Sequence, residues 1–216
     1  MRSVMLAAIV GCVFASTVNA DDEAGFVSLF DGESLKGWVG AVDGYAVEDG
    51  AITCIADRGG NLMSAKEYAD FILRLEFRLP AGGNNGVGLR VPLGGHAATQ
   101  GMEIQVLDDT AEKYAKLHEY QYCGSVYGVI PAKRGHLNPV GEWNVQEIRC
   151  IGSHVTVILN GETIVDGDII EAGTPETIDG RSHPGLYRTT GHIGFLGHGS
   201  RVQFRNVRIK EVPKSN

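Results

Sequence analysis

No Cys-x-x-Cys pair and no Cys/His spacing of a zinc site occurs in this sequence. Past its first twenty residues, nothing is apolar for long enough to span a bilayer. Basic residues are also in short supply, 19 against 26 aspartates and glutamates, and the net charge of −7 excludes nucleic acid as a partner. Aromatics make up 7% of the chain, too few for a surface built of stacking platforms. The glycine-rich "AGGNNGVG" (81–88) lacks the Lys-Ser/Thr and the helix of a phosphate loop, which leaves a turn between strands. There is no repeat of fixed period and no low-complexity linker.

What is present begins with a leader. A short basic start, the apolar "VMLAAIVGCVFA" and a small-residue site ending at Ala20 read as a secretory signal peptide over 1–20. "IVGC" at Cys12 resembles a lipobox, but more apolar sequence follows it, so export without a lipid anchor is the expectation. Residues 21–216 then form one domain, in the periplasm or outside the cell. Its cysteines, Cys54, Cys123 and Cys150, each fall in an apolar run, where buried free thiols compete with one disulfide.

Strand signals dominate. "DFILRLEFRL" alternates almost perfectly, and "VGLRV", "MEIQVL", "WNVQEIRCI", "GHIGFLG" and "RVQFRNVRIKEV" behave alike. Asp49-Gly50 and Asn160-Gly161 predict hairpin turns of the kind that needs positive φ. Helix signals are confined to 110–118, capped by Thr110, and one turn in "SAKEYAD". The pattern predicts an all-β sandwich of two antiparallel sheets, with 108–142 and 167–191 as long, functional or lid-like loops.

One strand carries the polar signal. In "MEIQVLDD" the apolar Met102, Ile104 and Val106 take one face, and Glu103 and Gln105 share the other. A carboxylate beside an amide suits the reading of sugar hydroxyls. By phase, Arg90 also points outward, as do Arg74, Glu76 and Arg78, and a bulge after Val106 would bring Asp108 to Glu103. His198, between two strands, sits where a base could stand on the rim. Trp38 and Trp143 are either stacking platforms or core anchors, with Trp143 assigned to the core.

The ordered set "LFDGESLKGW", "SAKEYADFILRLEFRLPAGGNNGVGLRV", "GMEIQVLDD", "GSVYGVIPAK", "GEWNVQEIRCIGSHVTVILNGETIVD" and "GHIGFLGHGSRVQFRNVRIKEV" resembles the 3-keto-disaccharide hydrolase family, over residues from about 26 to 212. The resemblance implies a concanavalin A/laminin-G-like sandwich, a jelly roll, acting on glycosides first oxidised at C3. A sugar C3 oxidoreductase would supply that substrate. It also implies that Asn85, Arg90, Glu103, Gln105, Asp108, Tyr127, Asn144, His198 and Arg205 occupy the family's recurring polar positions. Two motifs depart from the usual form, "LDD" for "LDN" and "NNG" for "NSG".

A C3 ketone makes the C2 proton acidic, so the glycosidic bond can break by proton abstraction and loss of the C1 oxygen. That chemistry asks for a base, Glu103 or His198, and for Arg90, alone or with a divalent cation, on the enolate oxygen. Asp108 or Tyr127 would assist the leaving group, and Gln105, Asn85 and Asn144 would hold hydroxyls. Two rivals stand beside this reading. A retaining glycosidase is echoed by the acid spacing around Glu103, but Gln105 and Asp108 stand where its other acids belong, and its carboxyls must lie about 5–5.5 Å apart. A lectin-like module would bind without turnover.

Overall fold

Side chains on a strand alternate faces at each residue. Along Phe71–Arg78 this puts Phe71, Leu73, Leu75 and Phe77 on one side, and that side is fully buried. Burying each such side chain contributes about 1.5–3 kcal/mol. The computed structural model describes residues 23–213, so the leader assigned to 1–20 lies outside the described residues. The strands are β1 (Val27–Ser28), β2 (Trp38–Gly40), β3 (Tyr45–Glu48), β4 (Ala51–Cys54), β5 (Gly60–Tyr68), β6 (Phe71–Arg78) and β7 (Asn84–Val91). After a short helix α1 (Ala97–Gln100) come β8 (Met102–Leu107), β9 (Trp143–Ile151), β10 (His154–Leu159) and β11 (Glu162–Asp168). A second short helix, α2 (Ile169–Ala172), precedes β12 (Gly191–Gly197) and β13 (Gln203–Glu211).

These strands form two antiparallel sheets, as expected for the sandwich. One has eight strands in the order β11-β10-β9-β6-β13-β4-β3, with β1 beside β13; the other has five, β2-β5-β12-β7-β8. Their inner faces meet in one core. Phe195 of β12 stacks on Phe204 of β13 across the layers at 3.8 Å and on Trp38 at 5.2 Å. Cys54, Cys123 and Cys150 are buried free thiols. No helix among the described residues is long and apolar enough to cross a membrane.

Both predicted hairpins form. Asp49 and Gly50 have φ of 50° and 72°, and Asn160 and Gly161 51° and 91°, the positive values such turns require. The Asn160 side chain does more. It accepts the Val145 N–H and donates to Asn144 Oδ1, which in turn accepts from Asn138 N–H. Asn144 therefore ties loop 136–142 to the hairpin in the eight-stranded sheet.

The helix expected over 110–118 shrinks to a single 3-10 turn at Glu112–Tyr114, and Thr110 caps nothing because its hydroxyl is spent on Asp108. "SAKEYAD" is not a helical turn either. It continues β5, where pairing with β12 outweighs local helix preference. Trp143, expected in the core, is half-buried at the surface between the guanidinium groups of Arg78 and Arg205.

Candidate active site

The outer face of the five-stranded sheet is where Glu103 and Gln105 point. β7 pairs β8 so that Gly88 lies opposite Glu103 and Gly86 opposite Gln105. Gly86 leaves room for the Glu103 side chain, whereas Gly88 accommodates the apolar Val91 and Leu196. A Cβ on Gly86 would fall 2.2 Å from Glu103 Oε1, so the carboxylate leans across that position. The far edge of β8 is closed by 124–127, where Ile104 bridges Val126 and Tyr127 N–H donates to Glu103 O at 2.9 Å. Tyr127 is thus directly opposite Glu103 on the same face.

Together these elements line a cavity of about 260 Å³ whose polar side chains are Asn84, His96, Glu103, Gln105, Tyr114, Gln121, Tyr127, Arg181 and His198. Glu103 is 7% exposed, and no described residue hydrogen-bonds its carboxylate. Burial pushes that carboxyl up to about 7. His198, exposed at the cavity's rim, also lacks a hydrogen-bond partner among the described residues, and partial desolvation of its ring holds its pKa below the usual value. Gln105 Nε2 donates to Asn84 Oδ1 at 3.0 Å, leaving its own carbonyl free.

Arg181 is the cation of the cavity. Its loop is fastened by Asp179, whose Oδ1 accepts the Arg181 N–H at 3.0 Å and the Thr177 hydroxyl at 2.8 Å. Buried His183 bridges Asp179 at 3.0 Å to the Ala98 carbonyl of α1 at 3.1 Å. Gly128, at φ 75°, permits this approach, since a Cβ there would lie 2.5 Å from Asp179 Oδ2. The Arg181 guanidinium itself has no partner among the described residues.

Of the residues expected at the site, Glu103, Gln105, Tyr127 and His198 converge there. The others do not. Arg90 breaks its strand's alternation with φ of 50° and turns off the sheet's end. There its guanidinium donates to the carbonyls of Ala69, Gly152 and Arg188 and to Asp70 Oδ1 at 2.9 Å. Asp108 caps a loop, accepting from Gly82 N–H, Thr110 N–H and the Thr110 hydroxyl; although burial raises its pKa, those bonds bring it below the usual value. No bulge carries it to Glu103.

Asn85 faces the core, where its Oδ1 accepts from Gly86 N–H, and the neighbouring Asn84 takes its place in the cavity. Asn144 belongs to the hairpin lock described above. Arg205 lies on the other sheet, paired with Glu76 over Trp143. Arg74, Glu76 and Arg78 are likewise on β6, whose neighbours are β9 and β13, so no face joins them to Glu103. Neither a second carboxylate nor a metal cluster joins Glu103. It is the one acid among the lining residues, and the described residues hold no group of three His, Cys, Asp or Glu fit for a cation.

The profile of the 3-keto-alpha-glucoside-1,2-lyase-like domain matches residues 25–210. The chain belongs to this family. The resemblance carried by the ordered motifs is thereby borne out. This lyase-like domain is 26% identical over 229 residues to a 3-keto-disaccharide hydrolase of Bacteroides thetaiotaomicron, covering 88% of this chain and 79% of that one. Two crystal structures of provisionally named glycosyl hydrolases from Parabacteroides distasonis superpose with TM-scores of 0.76 and 0.77 at 28% and 27% identity. They cover 87% and 91% of this chain and 99% and 98% of theirs. The exoplasmic/lumenal domain of VIP36, at TM-score 0.50 and 11% identity over 89% of this chain and 90% of its own, shares the lectin-like sandwich fold alone.

Proposed function

We propose that this protein cleaves the glycosidic bond of 3-keto-glycosides by elimination across C1 and C2. Family membership supports a carbohydrate-active enzyme. The observation that carries the finer reading is Glu103, a buried carboxylate that no described side chain or N–H engages, facing a cavity whose other groups are a guanidinium, two imidazoles, amides and phenols. Leaving such a group unpaired costs stability, and a pKa near 7 is what a general base at neutral pH needs.

Glu103 takes the C2 proton, and the electron pair passes to the C3 oxygen, where Arg181 stabilises the enolate. Arg181 replaces Arg90 in that role. The enolate then collapses, forming the C1–C2 double bond and expelling the C1 oxygen, and later addition of water makes the overall result a hydrolysis. Asn84, Gln105 and His198 hold hydroxyls. A C3 oxidation of the sugar must come first, so an oxidoreductase acting at C3 is the upstream partner. We also propose export, from the leader pattern of 1–20.

The test is aglycone release from an aryl β-glucoside and from its 3-keto derivative, each with and without a chelator. Release from the keto sugar alone, undiminished by chelator, is expected. Turnover of the unoxidised glucoside would sink the elimination and favour a conventional glycosidase, despite the single carboxylate. Sugar binding with no release from either would favour the lectin-like module.

Gly86→Ala probes the same geometry. The new methyl would meet Glu103 Cγ and Cδ at 2.8 Å as well as Oε1, so the whole side chain must swing aside and carry the base with it. Keto-glycoside turnover should fall about 100-fold, as misplacement by an ångström can cost. Full turnover would mean that the carboxylate's present position is not the working one.

A further inference from the structure

We infer that Tyr127 is the acid that protonates the departing oxygen, and that Gln121 is the positioning residue that aims its hydroxyl. This rests on the elimination reading above. Gln121 Oε1 accepts the backbone N–H of His118 at 3.1 Å, and a backbone N–H can only donate. The amide is thereby fixed with Nε2 toward Tyr127 Oη, at 2.9 Å. An amide NH₂ has no acceptor, so Tyr127 Oη accepts in this bond and its own proton must point elsewhere. No described residue takes that proton, and Tyr127 lines the cavity.

The ring is held as firmly as the hydroxyl. Tyr127 meets Tyr120 edge-on at 5.9 Å, and Tyr120 stacks at 5.3 Å on His118, the residue whose N–H orients Gln121. Across the Ile104–Val126 bridge Tyr127 stands opposite Glu103. Directly opposed side chains in an antiparallel pair have Cβ atoms about 4.5–5.5 Å apart, so both groups leave neighbouring positions of one face for the same cavity. Base and acid therefore reach C2 and the C1 oxygen of one sugar. As the C1–O bond breaks its electron pair stays on the oxygen, which takes the Tyr127 proton; the phenolate regains a proton from solvent.

The leaving group supplies the test. A 4-nitrophenolate departs without a proton, whereas an alkoxide or sugar oxygen does not. Gln121→Glu preserves shape, and its carboxylate still accepts the His118 N–H, but it can only accept from Tyr127 and so draws the proton out of the cavity. Tyr127→Phe removes the proton and keeps the contact with Tyr120, and serves if the first variant fails to fold. With 3-keto substrates, both variants should lose about 100-fold or more in kcat/KM for a methyl or glucosyl leaving group. For 4-nitrophenyl they should stay within about 3-fold. Equal losses for both classes, or none for either, would overturn the assignment of Tyr127 and Gln121 while leaving the elimination intact. A wild-type protein inactive on every 3-keto-glycoside would instead remove the elimination itself, and the assignment with it.

Discussion

Glu103→Gln should abolish keto-glycoside turnover and stabilise the protein at neutral pH. The loss follows from the role of base: removing a positioned general base costs about 10²–10⁴-fold. The gain follows from burial. The Glu103 carboxyl titrates near 4.5 when solvated and is pushed up to about 7 in the fold. A group that holds its proton more tightly when folded makes stability fall as pH rises, starting above about 4.5 and complete near 7. At 1.36 kcal/mol for each tenfold change in proton affinity, the loss is roughly 3 kcal/mol.

Glutamine keeps the shape without the charge, so the variant should escape that loss and melt on the order of 5–10 °C above wild type at pH 7.5. Near pH 4.5 the two should melt together. Wild-type kcat/KM should climb with pH to a plateau above about 7, because the ionised form is the base. Parallel melting curves across pH 4.5–8, or a flat rate profile over pH 5.5–8, would show that Glu103 is neither buried as a carboxylate in solution nor the base.

How far the sequence reaches toward this site depends on which interactions are local. Alternation in "FILRLEFR" and "MEIQVL" is set by each strand's own faces, so the core positions of β6 and β8 and the outward aim of Glu103 and Gln105 are readable residue by residue. Asp-Gly and Asn-Gly announce their turns because few residues tolerate positive φ. Which strands become neighbours is decided by packing, and so β6 and β8, both polar on one face, part into different sheets.

Asn84 was within reach. The phase of Val87 and Leu89 puts Asn85 inward and Asn84 with the two glycines opposite Glu103 and Gln105. Arg181, Gln121 and His96 were not: each arrives on a loop without strand alternation, the loop of Arg181 being placed by the distant Gly128 and Gln121 by its bond to Tyr127 six residues on. The long segments 108–142 and 167–191 do supply the cavity's roof, as loops of that length suggest, but nothing local says which of their residues face it.

Arg90→Ala should cost the fold and spare the chemistry, the reverse of what the alternation of "GVGLRV" implies. Arg90 is 2% exposed and joins three segments. Its donors reach Ala69 O in the β5–β6 turn, Gly152 O in the β9–β10 turn and Arg188 O before β12, and the ion pair with Asp70 completes the fork. Alanine would strand the Asp70 carboxylate with only the Gly152 N–H and leave three carbonyls without this donor. Breaking one half of a buried pair costs about 3–5 kcal/mol, which lowers Tm by on the order of 10 °C or more in a chain of this size.

Because the penalty is largely the abandoned charge, Asp70→Asn in the same molecule should recover part of it, and the double-mutant cycle measures how much. Arg90→Lys keeps the charge opposite Asp70 but not the planar fork, so it should fall between alanine and wild type. Measured at a temperature where the variants remain folded, kcat/KM on the keto-glycoside should stay within about 3-fold, since Arg90 lines a different cavity, with Asp70, Tyr187 and Arg188. A variant that melts like wild type yet turns over no substrate would return Arg90 to the chemistry and displace Arg181 from it.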